Sequence, residues 1–312
     1  MTKRFALLAL SLCLLLCSCQ KSEPDFVSTT VHFTDATGVA VSLPQNPAKV
    51  AVLFSSFADI WETAGGEVAV TVGESVERGF ADGSAILVDD AAGKRIDTEA
   101  LIAAAPDLVI GSADIEAQCD AADVCRRAGI PTVLLRVESF DDYLAVLELF
   151  TTLTDNAERY ATYGTALAAD IRAQIADYTA SAKETSVLFI RAGSGARYTK
   201  AKTADDHFAA AMLEELGCRN IADTAPVLLD GLSFEEILAK DPDHIFISTM
   251  GDADAAIAYM DDLLGEPTWQ SLTAVQEGRV HYLPKSLFQY KPNAHWGEAY
   301  AYLITLLEGN TP

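Results

Sequence analysis

The chain has 312 residues, is half hydrophobic by composition, and carries a formal charge of −23 from 45 acidic and 22 basic residues. A surface this anionic repels nucleic acid and anionic lipid, which excludes both as ligands. The length allows two compact units.

The N-terminus has the charge pattern of an export signal. Lys3 and Arg4 precede an uncharged apolar run from Phe5 to Leu16. A membrane-spanning helix needs roughly 20 apolar residues, so this run is too short to cross a bilayer. Residues 1–18 are therefore predicted to be a signal peptide that directs the chain out of the cytoplasm.

The signal ends in a pair of cysteines. The segment Leu16-Cys17-Ser18-Cys19 resembles the lipobox of bacterial lipoproteins, in which a lipid is attached to the cysteine that becomes the first residue. Cys19 is the expected attachment site because the small residue Ser18 precedes it, and Cys17 is the alternative. We expect the lipid to anchor the protein to the cell membrane, with residues 19–30 as a polar tether.

Three cysteines, Cys119, Cys125 and Cys218, remain beyond the signal. An odd number implies no disulfide framework. Cys119 and Cys125 lie six residues apart on a predicted helix, which puts them about 240° apart around its axis and too far apart for a bridge. Free thiols that pack as small apolar groups are expected.

Short apolar runs rich in β-branched residues alternate with helix-like stretches in both halves of the chain. This alternation is typical of βα units and predicts parallel sheets. The runs are Val50–Phe54, Val68–Val72, Leu108–Ile110 and Thr132–Leu135 in the first half, and Ser186–Ile190, Ile245–Ile247 and Val280–Leu283 in the second.

The alternation stops between Ser139 and about Ala182, where apolar residues recur at helical spacing. One or two helices are predicted there, the second long enough to bridge two lobes. We place an N-terminal lobe at residues 31–154, a linking helix at 155–183 and a C-terminal lobe at 184–312.

Each half of the chain contains one copy of a similar segment. Residues 97–110 read DTEALIAAAPDLVI and residues 233–246 read SFEEILAKDPDHIF. Both have a helix N-cap residue, a Glu two positions later, a short amphipathic helix, and Pro-Asp before a strand. The repeat predicts two similar lobes.

These elements predict an α/β fold of two similar lobes, each with a parallel-rich sheet flanked by helices, joined by one long α-helix. With the lipobox-like leader, the paired segments and Lys291–Trp296 near the end, the chain resembles the solute-binding proteins of ABC importers for ferric siderophores, haem and cobalamin. These are the class III periplasmic binding proteins. The resemblance covers the chain from about Val31 to its final helix.

The resemblance implies a monomeric binding protein, not an enzyme, with no intrinsic cofactor or metal. It would capture an iron complex, with cobalamin as the alternative, and deliver it to an ABC permease and its ATPase. In this family a glutamate on each lobe is thought to dock on the permease, which nominates Glu99 and Glu235. Glu236 is adjacent, so the second assignment is ambiguous by one residue.

Ligands of parallel α/β sheets bind beyond the carboxyl ends of the strands, which points to particular loops. Basic residues are scarce in this chain, so a loop that gathers four of them predicts a cationic pocket for an anionic chelate. The candidate ligand-binding residues are Ser55, Ser56 and Phe57 after the first strand, Arg191, Arg197, Tyr198, Lys200 and Lys202 in the basic loop, Met250, and Phe288, Tyr290, Lys291, Asn293 and His295 before the last helix.

Haem would need an axial ligand, for which Tyr198, Met250, Tyr290 and His295 are candidates. A siderophore or cobalamin would need mainly aromatic walls and a few polar contacts, so the same loops fit all three ligands. In relatives an arginine commonly stands at the place of His295, so the role of that position does not transfer directly.

A surface-anchored α/β enzyme is the main alternative from another functional class. Gly193-Ser194-Gly195 lacks the flanking spacing of a nucleophile elbow, and Tyr198 occupies the third glycine position of a dinucleotide motif. The five histidines show no HExxH motif and no close pairing, which argues against a zinc site. No catalytic residue is therefore assigned.

Overall fold

The computed structural model describes residues 30–90 and 95–311. The predicted signal peptide, residues 19–29 of the predicted tether and the lipid site at Cys19 or Cys17 lie outside the described residues, whereas Thr30, the last predicted tether residue, lies in the first strand. Within the described part, every helix is too short or too polar to cross a membrane.

A five-stranded parallel sheet forms the N-terminal lobe, in the order β5-β4-β3-β6-β7, and an antiparallel hairpin of β1 and β2 precedes it. The strands are β1 Thr30–Thr34, β2 Ala40–Pro44, β3 Val50–Val52, β4 Val70–Thr71, β5 Ile86–Leu87, β6 Leu108–Ser112 and β7 Thr132–Leu135. The helices are α1 Ser55–Thr63, α2 Gly73–Glu77, α3 Thr98–Ala103, α4 Glu116–Arg127 and α5 Phe140–Leu153.

The hairpin, which the sequence did not predict, is held to the lobe through Asp35. Its carboxylate accepts hydrogen bonds from the backbone of Thr37 and Val39 and pairs with Arg126 of α4 at 2.5 Å. Burial alone would raise the pKa of Asp35, but the hydrogen bonds lower it below its usual value. One buried carboxylate therefore closes the turn and docks the hairpin.

The linking segment is a continuous helical stretch with an irregular turn inside it. It consists of α6 at Ala157–Tyr160, a π-helical turn at Ala161–Ala166, and α7 at Leu167–Thr179. Asp155, in the left-handed conformation with φ 52°, separates it from α5. The stretch lies inside the predicted range 155–183.

The C-terminal lobe has a sheet in the order β10-β8-β11-β12, all parallel, with β9 antiparallel to β8. Its strands are β8 Thr185–Ala192, β9 Lys200–Ala201, β10 Cys218–Asn220, β11 His244–Thr249 and β12 Val280–Tyr282. Its helices are α8 Phe208–Glu215, α9 Phe234–Lys240, α10 Ala253–Leu264, α11 Thr273–Gln276, α12 Lys285–Phe288 and α13 Trp296–Leu307.

The repeated sequence segment is also a repeated structure. Asp107 after α3 accepts a hydrogen bond from the backbone nitrogen of Lys49 at 2.9 Å, and Asp243 after α9 accepts one from that of Ser186 at 2.8 Å. Each carboxylate thereby ties its segment to the entry of a central strand. The expected fold of two similar lobes is confirmed.

The two lobes share a hydrophobic core between them. Trp296 of α13 lies edge-on to Phe140 of α5, with ring centroids 5.8 Å apart, and to Phe208 of α8, at 5.4 Å. Both lobes and α7 contribute buried side chains to this cluster. The lobes are therefore packed against each other as well as linked by a helix.

The three described cysteines are free thiols, as expected. Cys125 and Cys218 are buried and Cys119 is half-buried. Burial raises the pKa of Cys218 to about 12, so this thiol stays protonated and acts as an apolar packing group.

Candidate ligand-binding cleft

A cavity of about 700 Å³ lies at the carboxyl-end edge of the N-terminal sheet. Leu53 and Phe54 follow β3, and Val72 follows β4. Their apolar side chains share the cavity lining with the carboxylates of Glu74 and Asp89. The N-terminal wall is therefore apolar with an acidic margin.

A second cavity, of about 180 Å³, lies at the same edge of the C-terminal sheet, and we call it the basic cavity. Arg191 near the end of β8 faces Lys200 of β9 in the sheet register, and Met250 follows β11. The basic cavity is lined by Arg191, Tyr198, Lys200, Lys202 and Met250. Five residues selected from the sequence thus meet in one cavity.

The loop from Gly193 to Thr199 brings β9 back against β8. The hydroxyl of Thr199 donates to the carbonyl oxygens of Gly193 and Gly195, at 3.2 and 3.0 Å. A Cβ atom on Gly193 would lie 2.5 Å from the Cβ of Tyr198. Only glycine at position 193 permits this approach, which places Tyr198 at the cavity.

The charges of the basic cavity have no described counter-ion. Among residues 30–90 and 95–311, no carboxylate oxygen lies within 4.0 Å of Arg191, Lys200 or Lys202. Three cationic groups therefore face one small space in a protein whose formal charge is −23. Charge-assisted hydrogen bonds to an anion would satisfy them.

His207 lies beside these cations and was not selected from the sequence, because no local pattern marks it. Its ring lies between Phe189 and Phe208, with centroid distances of 4.7 and 4.8 Å. Burial, followed by the charges of Arg191 and nearby lysines, lowers the pKa of His207 to about 3. The imidazole is therefore neutral and adds no further charge to the cavity.

One backbone contact determines which ring nitrogen of the neutral His207 carries the proton. Its Nδ1 accepts a hydrogen bond from the backbone nitrogen of Ala209 at 3.2 Å. The proton of the neutral ring therefore resides on Nε2, which makes that nitrogen a hydrogen-bond donor. A nitrogen that carries a proton has no lone pair for iron, so this tautomer favours contact with an acceptor atom over axial ligation.

Arg78 is a second residue that sequence reasoning missed. It donates to the hydroxyl of Ser55 at 2.8 Å, and Ser55 donates to Glu74 at 2.6 Å. The guanidinium lies 3.8 Å from the ring centroid of Tyr290, which belongs to the other lobe, and 4.7 Å from that of Phe80. Ser55 and Tyr290, both candidate ligand residues, are thus joined through Arg78.

Several candidate residues lie in the interior instead of on a cleft wall. Phe57 and Phe288 are buried in the shared core. Their aromatic side chains are in apolar contact with the protein itself, so the predicted contact with a ligand is not available to them in this conformation. Phe57 was selected because it follows a strand and Phe288 because it precedes the last helix, and neither position in the sequence records the direction of the side chain.

Asn293 is also buried, and it joins the two lobes. Its side-chain nitrogen donates to the carbonyl oxygen of Ser56 at 3.0 Å and to Asp59 at 2.8 Å. Burial raises the pKa of Asp59, and the hydrogen bond from Asn293 opposes that increase. Asn293 and Ser56 were expected to contact ligand, but they form an interlobe polar contact instead.

Three further candidates do not line the basic cavity. Lys291 forms an ion pair with Glu138 of the other lobe at 2.7 Å. His295 contacts Glu298 through Nδ1 at 2.8 Å on the surface. Arg197 is exposed, with its guanidinium 5.8 Å from the ring centroid of Tyr198.

The described residues contain no group of three or more His, Cys, Asp or Glu side chains arranged to hold a metal ion. The N-terminal cavity offers apolar surface with a margin of carboxylates, and the basic cavity offers cationic hydrogen-bond donors. Such a lining suits a ligand that brings its own chelating atoms.

Comparison with known proteins shows which family model the chain matches and which solved structures share its fold. The model of the family described as "Periplasmic binding protein" matches residues 50–287. No curated protein matches the chain at a significant level. Three similar solved structures have TM-scores of 0.64 to 0.67 and sequence identities of 17 to 19%, a likeness that shows the fold.

The petrobactin-binding protein YclQ from Bacillus subtilis has a TM-score of 0.67 and 19% identity, covering 90% of this chain and 98% of its own. Staphylococcus aureus SirA complexed with staphyloferrin B has a TM-score of 0.66 and 17% identity, with the same coverage of 90% and 98%. The heme-binding protein RhuT from Roseiflexus sp. RS-1 has a TM-score of 0.64 and 19% identity, covering 84% and 98%.

Proposed function

Because this chain belongs to the periplasmic binding protein family, we propose that it is the substrate-binding component of an ABC importer for an anionic iron chelate. The chelate, a ferric siderophore or haem, would bind in the cleft between the two lobes. The family acts outside the cytoplasm and consists of binding proteins, which removes the alternative of a surface-anchored enzyme.

The basic cavity carries the proposal. Arg191, Lys200 and Lys202 converge on one space without a described carboxylate partner. Carboxylate or phenolate oxygens of a chelate could accept hydrogen bonds from all three. Cobalamin carries neutral amides and a single phosphodiester, so it offers these three cations fewer anionic acceptors than a carboxylate-rich chelate does, and we place it behind the anionic chelates.

The similar structures support this choice of ligand class. Those described above are named for petrobactin, staphyloferrin B and heme. Haem remains a candidate here because Tyr198 and Met250, two residue types that can ligate haem iron, line the basic cavity.

Delivery would use the two lobes together. Glu99 and Glu235 are both exposed at matching positions, whereas Glu236 is paired with Lys240 at 3.7 Å. This difference favours Glu235 over Glu236 as the docking residue of the C-terminal lobe. A lipid on Cys19 would hold the protein at the membrane that contains the permease.

The ligand is tested by titrating the soluble protein with ferric staphyloferrin B, haem and cobalamin, followed by absorbance and calorimetry. We expect one anionic chelate to bind. Lys200→Gln and Arg191→Gln should each weaken it by about tenfold or more, the scale of one charge-assisted hydrogen bond.

Lys240→Gln is the matched control, since this lysine of the same lobe is already paired with a glutamate. It should leave the affinity unchanged. Binding of none of the three compounds, or equal affinity in the Gln variants of Lys200 and Arg191, would contradict the proposal.

A further inference from the structure

The imidazole of His207 is held in one orientation by contacts with its edge and its faces. Its Nδ1 accepts a hydrogen bond from the backbone nitrogen of Ala209 and thereby caps the N-terminus of α8. Phe189 and Phe208 contact the ring, at centroid distances of 4.7 and 4.8 Å. The cap and the two aromatic contacts fix the ring, so the fold also sets the direction of its other nitrogen, Nε2.

The same contacts place His207 beside the cations of the basic cavity. Phe189 precedes Arg191 by two residues on β8, so the two side chains lie on one face of the sheet. The backbone nitrogen of His207 donates to the carbonyl oxygen of Thr203 at 3.1 Å, so one tight turn separates the ring from Lys202. Burial and then nearby charges, those of Arg191 and Lys202 among them, lower the pKa of the imidazole. His207 therefore lies at the border of the basic cavity.

Nε2 of His207 is a hydrogen-bond donor that has no acceptor within the described part of the chain. The neutral ring carries its proton on this nitrogen, and none of residues 30–90 or 95–311 accepts it. The side chain is half-buried, and Nε2 is not one of the polar atoms that are enclosed in the interior without a partner. A ligand can therefore reach Nε2, whereas the rings of Phe57 and Phe288 are enclosed in the core.

A neutral donor selects a ligand in a different way from the cations beside it. Arg191, Lys200 and Lys202 attract any anion through their charge, which acts over a distance and is screened by salt. An N–H group without net charge contributes only when an acceptor atom lies in its direction at hydrogen-bond distance. His207 therefore responds to the position of one oxygen atom, and it adds no repulsion to the positive charges.

We propose that His207 is a specificity residue of the ligand site, and that its Nε2–H donates to an oxygen of the chelate that the cations of the basic cavity do not bind. This role rests on the proposed function and narrows its ligand class. A protonated Nε2 has no lone pair for iron, so the chelate must fill the coordination shell of its own iron. The site therefore favours a ferric siderophore with carboxylate or carbonyl oxygens over haem, whose iron takes axial ligands from the protein.

Two variants remove the donor and differ in what else they change. His207→Phe keeps an aromatic ring between Phe189 and Phe208 but loses the cap of α8, whereas His207→Ser keeps an oxygen that can cap the helix but loses the ring. In calorimetric titration with ferric staphyloferrin B, both should bind about three- to tenfold more weakly than the wild type, the scale of one neutral hydrogen bond. A loss in only one variant would assign the effect to the cap or to the ring and overturn the proposal.

The salt dependence of binding separates the neutral donor from the cations. Lys200→Gln should depend less on salt concentration than the wild type, because one screened charge is gone. His207→Phe should keep the wild-type salt dependence at a lower affinity. A weaker salt dependence in His207→Phe would show that the ring is charged and would contradict a neutral donor. His32→Phe is the matched control, since this exposed histidine of the hairpin contacts Ser42, and it should change neither affinity nor salt dependence.

Heteronuclear NMR of the ring nitrogens observes the donor directly in the wild-type protein, because it distinguishes a nitrogen that carries a proton from one that does not. The probe is the gallium(III) complex of staphyloferrin B, since gallium(III) is diamagnetic and takes the same oxygen ligands as iron(III). We expect Nε2 of His207 to keep its proton and to change its chemical shift when the complex binds. Loss of that proton would assign His207 as a metal ligand, and an unchanged shift would show that no ligand atom contacts it.

The wild-type titrations separate the role of His207 from the proposed function. Binding of ferric staphyloferrin B with equal affinity in the wild type, His207→Phe and His207→Ser would overturn the role of His207 alone. Binding of haem without ferric staphyloferrin B would overturn the preference for a chelate that saturates its own iron, and would leave the importer function in place. Binding of neither compound, nor of cobalamin, would overturn the proposed function itself.

Discussion

At the scale of single residues, burial distinguishes side chains that are available to a ligand from side chains that stabilise the fold. His244 and His281 illustrate the second group. Their ring nitrogens lie 3.0 Å apart, and both rings stack near Phe246. His244 begins β11, whereas Met250 of the basic cavity follows the other end of that strand. The two histidines therefore lie at the end of the sheet opposite the basic cavity, and we expect them to affect the stability of the fold and not ligand binding.

The histidine pair predicts a pH dependence of stability. Burial, followed by the neighbouring His244 and Arg279, lowers the pKa of His281 to about 4. An unfolded histidine takes up its proton near pH 6.5, so between about pH 6.5 and 4 the unfolded state binds more protons. The free energy of unfolding should fall as the pH is lowered through this window, by at most about 1.4 kcal/mol per pH unit for this group.

Urea denaturation from pH 7 to pH 4.5 measures this dependence. Solvent screening at the half-exposed ring makes the slope smaller than the limit. In His281→Phe, which keeps the stacking but cannot titrate, the slope should be smaller than in the wild type. An unchanged slope would show that His281 is protonated equally in the folded and unfolded states.

At the scale of elements, the sequence predicted the strands that form apolar runs, including the two-residue β4 within Val68–Val72, but it did not predict β1, β2, β5, β9 or β10. Apolar runs such as those of β8 and β11 are buried on both faces, so composition alone identifies them. Strands β5 and β9 have two residues each, and their existence depends on pairing with a neighbour that is distant in the chain or returns through a turn. A local pattern cannot contain that information.

The loop between β8 and β9 can be tested for its role in positioning the lysines of the basic cavity. Gly193→Ala would place a Cβ 2.5 Å from that of Tyr198 and push the loop away from β8. Because Lys200 and Lys202 follow this loop, we expect affinity for the anionic chelate to fall by several-fold. Gly195→Ala is the control, since no atom lies within 4 Å of its added Cβ and its backbone is extended.

Calorimetric titration of the two alanine variants compares them directly. Equal affinities would show that the loop adapts without moving the lysines. A loss confined to Gly193→Ala would link the turn geometry to the charge of the basic cavity.

At the scale of the whole molecule, contacts between the lobes limit how far the cleft can open. Arg78 stacks on Tyr290, Lys291 pairs with Glu138, and Asn293 binds the first helix of the other lobe. Together with the shared core, they connect the lobes at several points. Ligand capture is therefore expected with a modest change of interlobe angle.

The buried amide of Asn293 connects the two lobes, so replacing it should lower the stability of the whole molecule. Asn293→Gly removes the donor to Asp59 while a left-handed backbone with φ 51° stays accessible. We expect the free energy of unfolding to fall by about 1.5–3 kcal/mol, the scale of a hydrogen bond to a charged group. Urea denaturation measures the change.

Asn310→Gly is the control, because the side chain of this exposed asparagine makes a long contact of 3.4 Å with Glu308 and its backbone hydrogen bond to Thr305 is kept in glycine. Its stability should match that of the wild type. Equal stability of Asn293→Gly would mean that the interlobe contact contributes no net stabilisation.

The sequence by itself determined the two-lobed α/β fold, the helical link and the basic loop, because periodicity, repeats and composition are properties of neighbouring residues. Only the tertiary structure decided which candidates share a cavity. Asn293 meets Ser56 across 237 positions of the chain, and Arg78 meets Tyr290 across the lobes. Whether a polar side chain faces a ligand or the other lobe depends on segments far apart in sequence, and no local pattern records their approach.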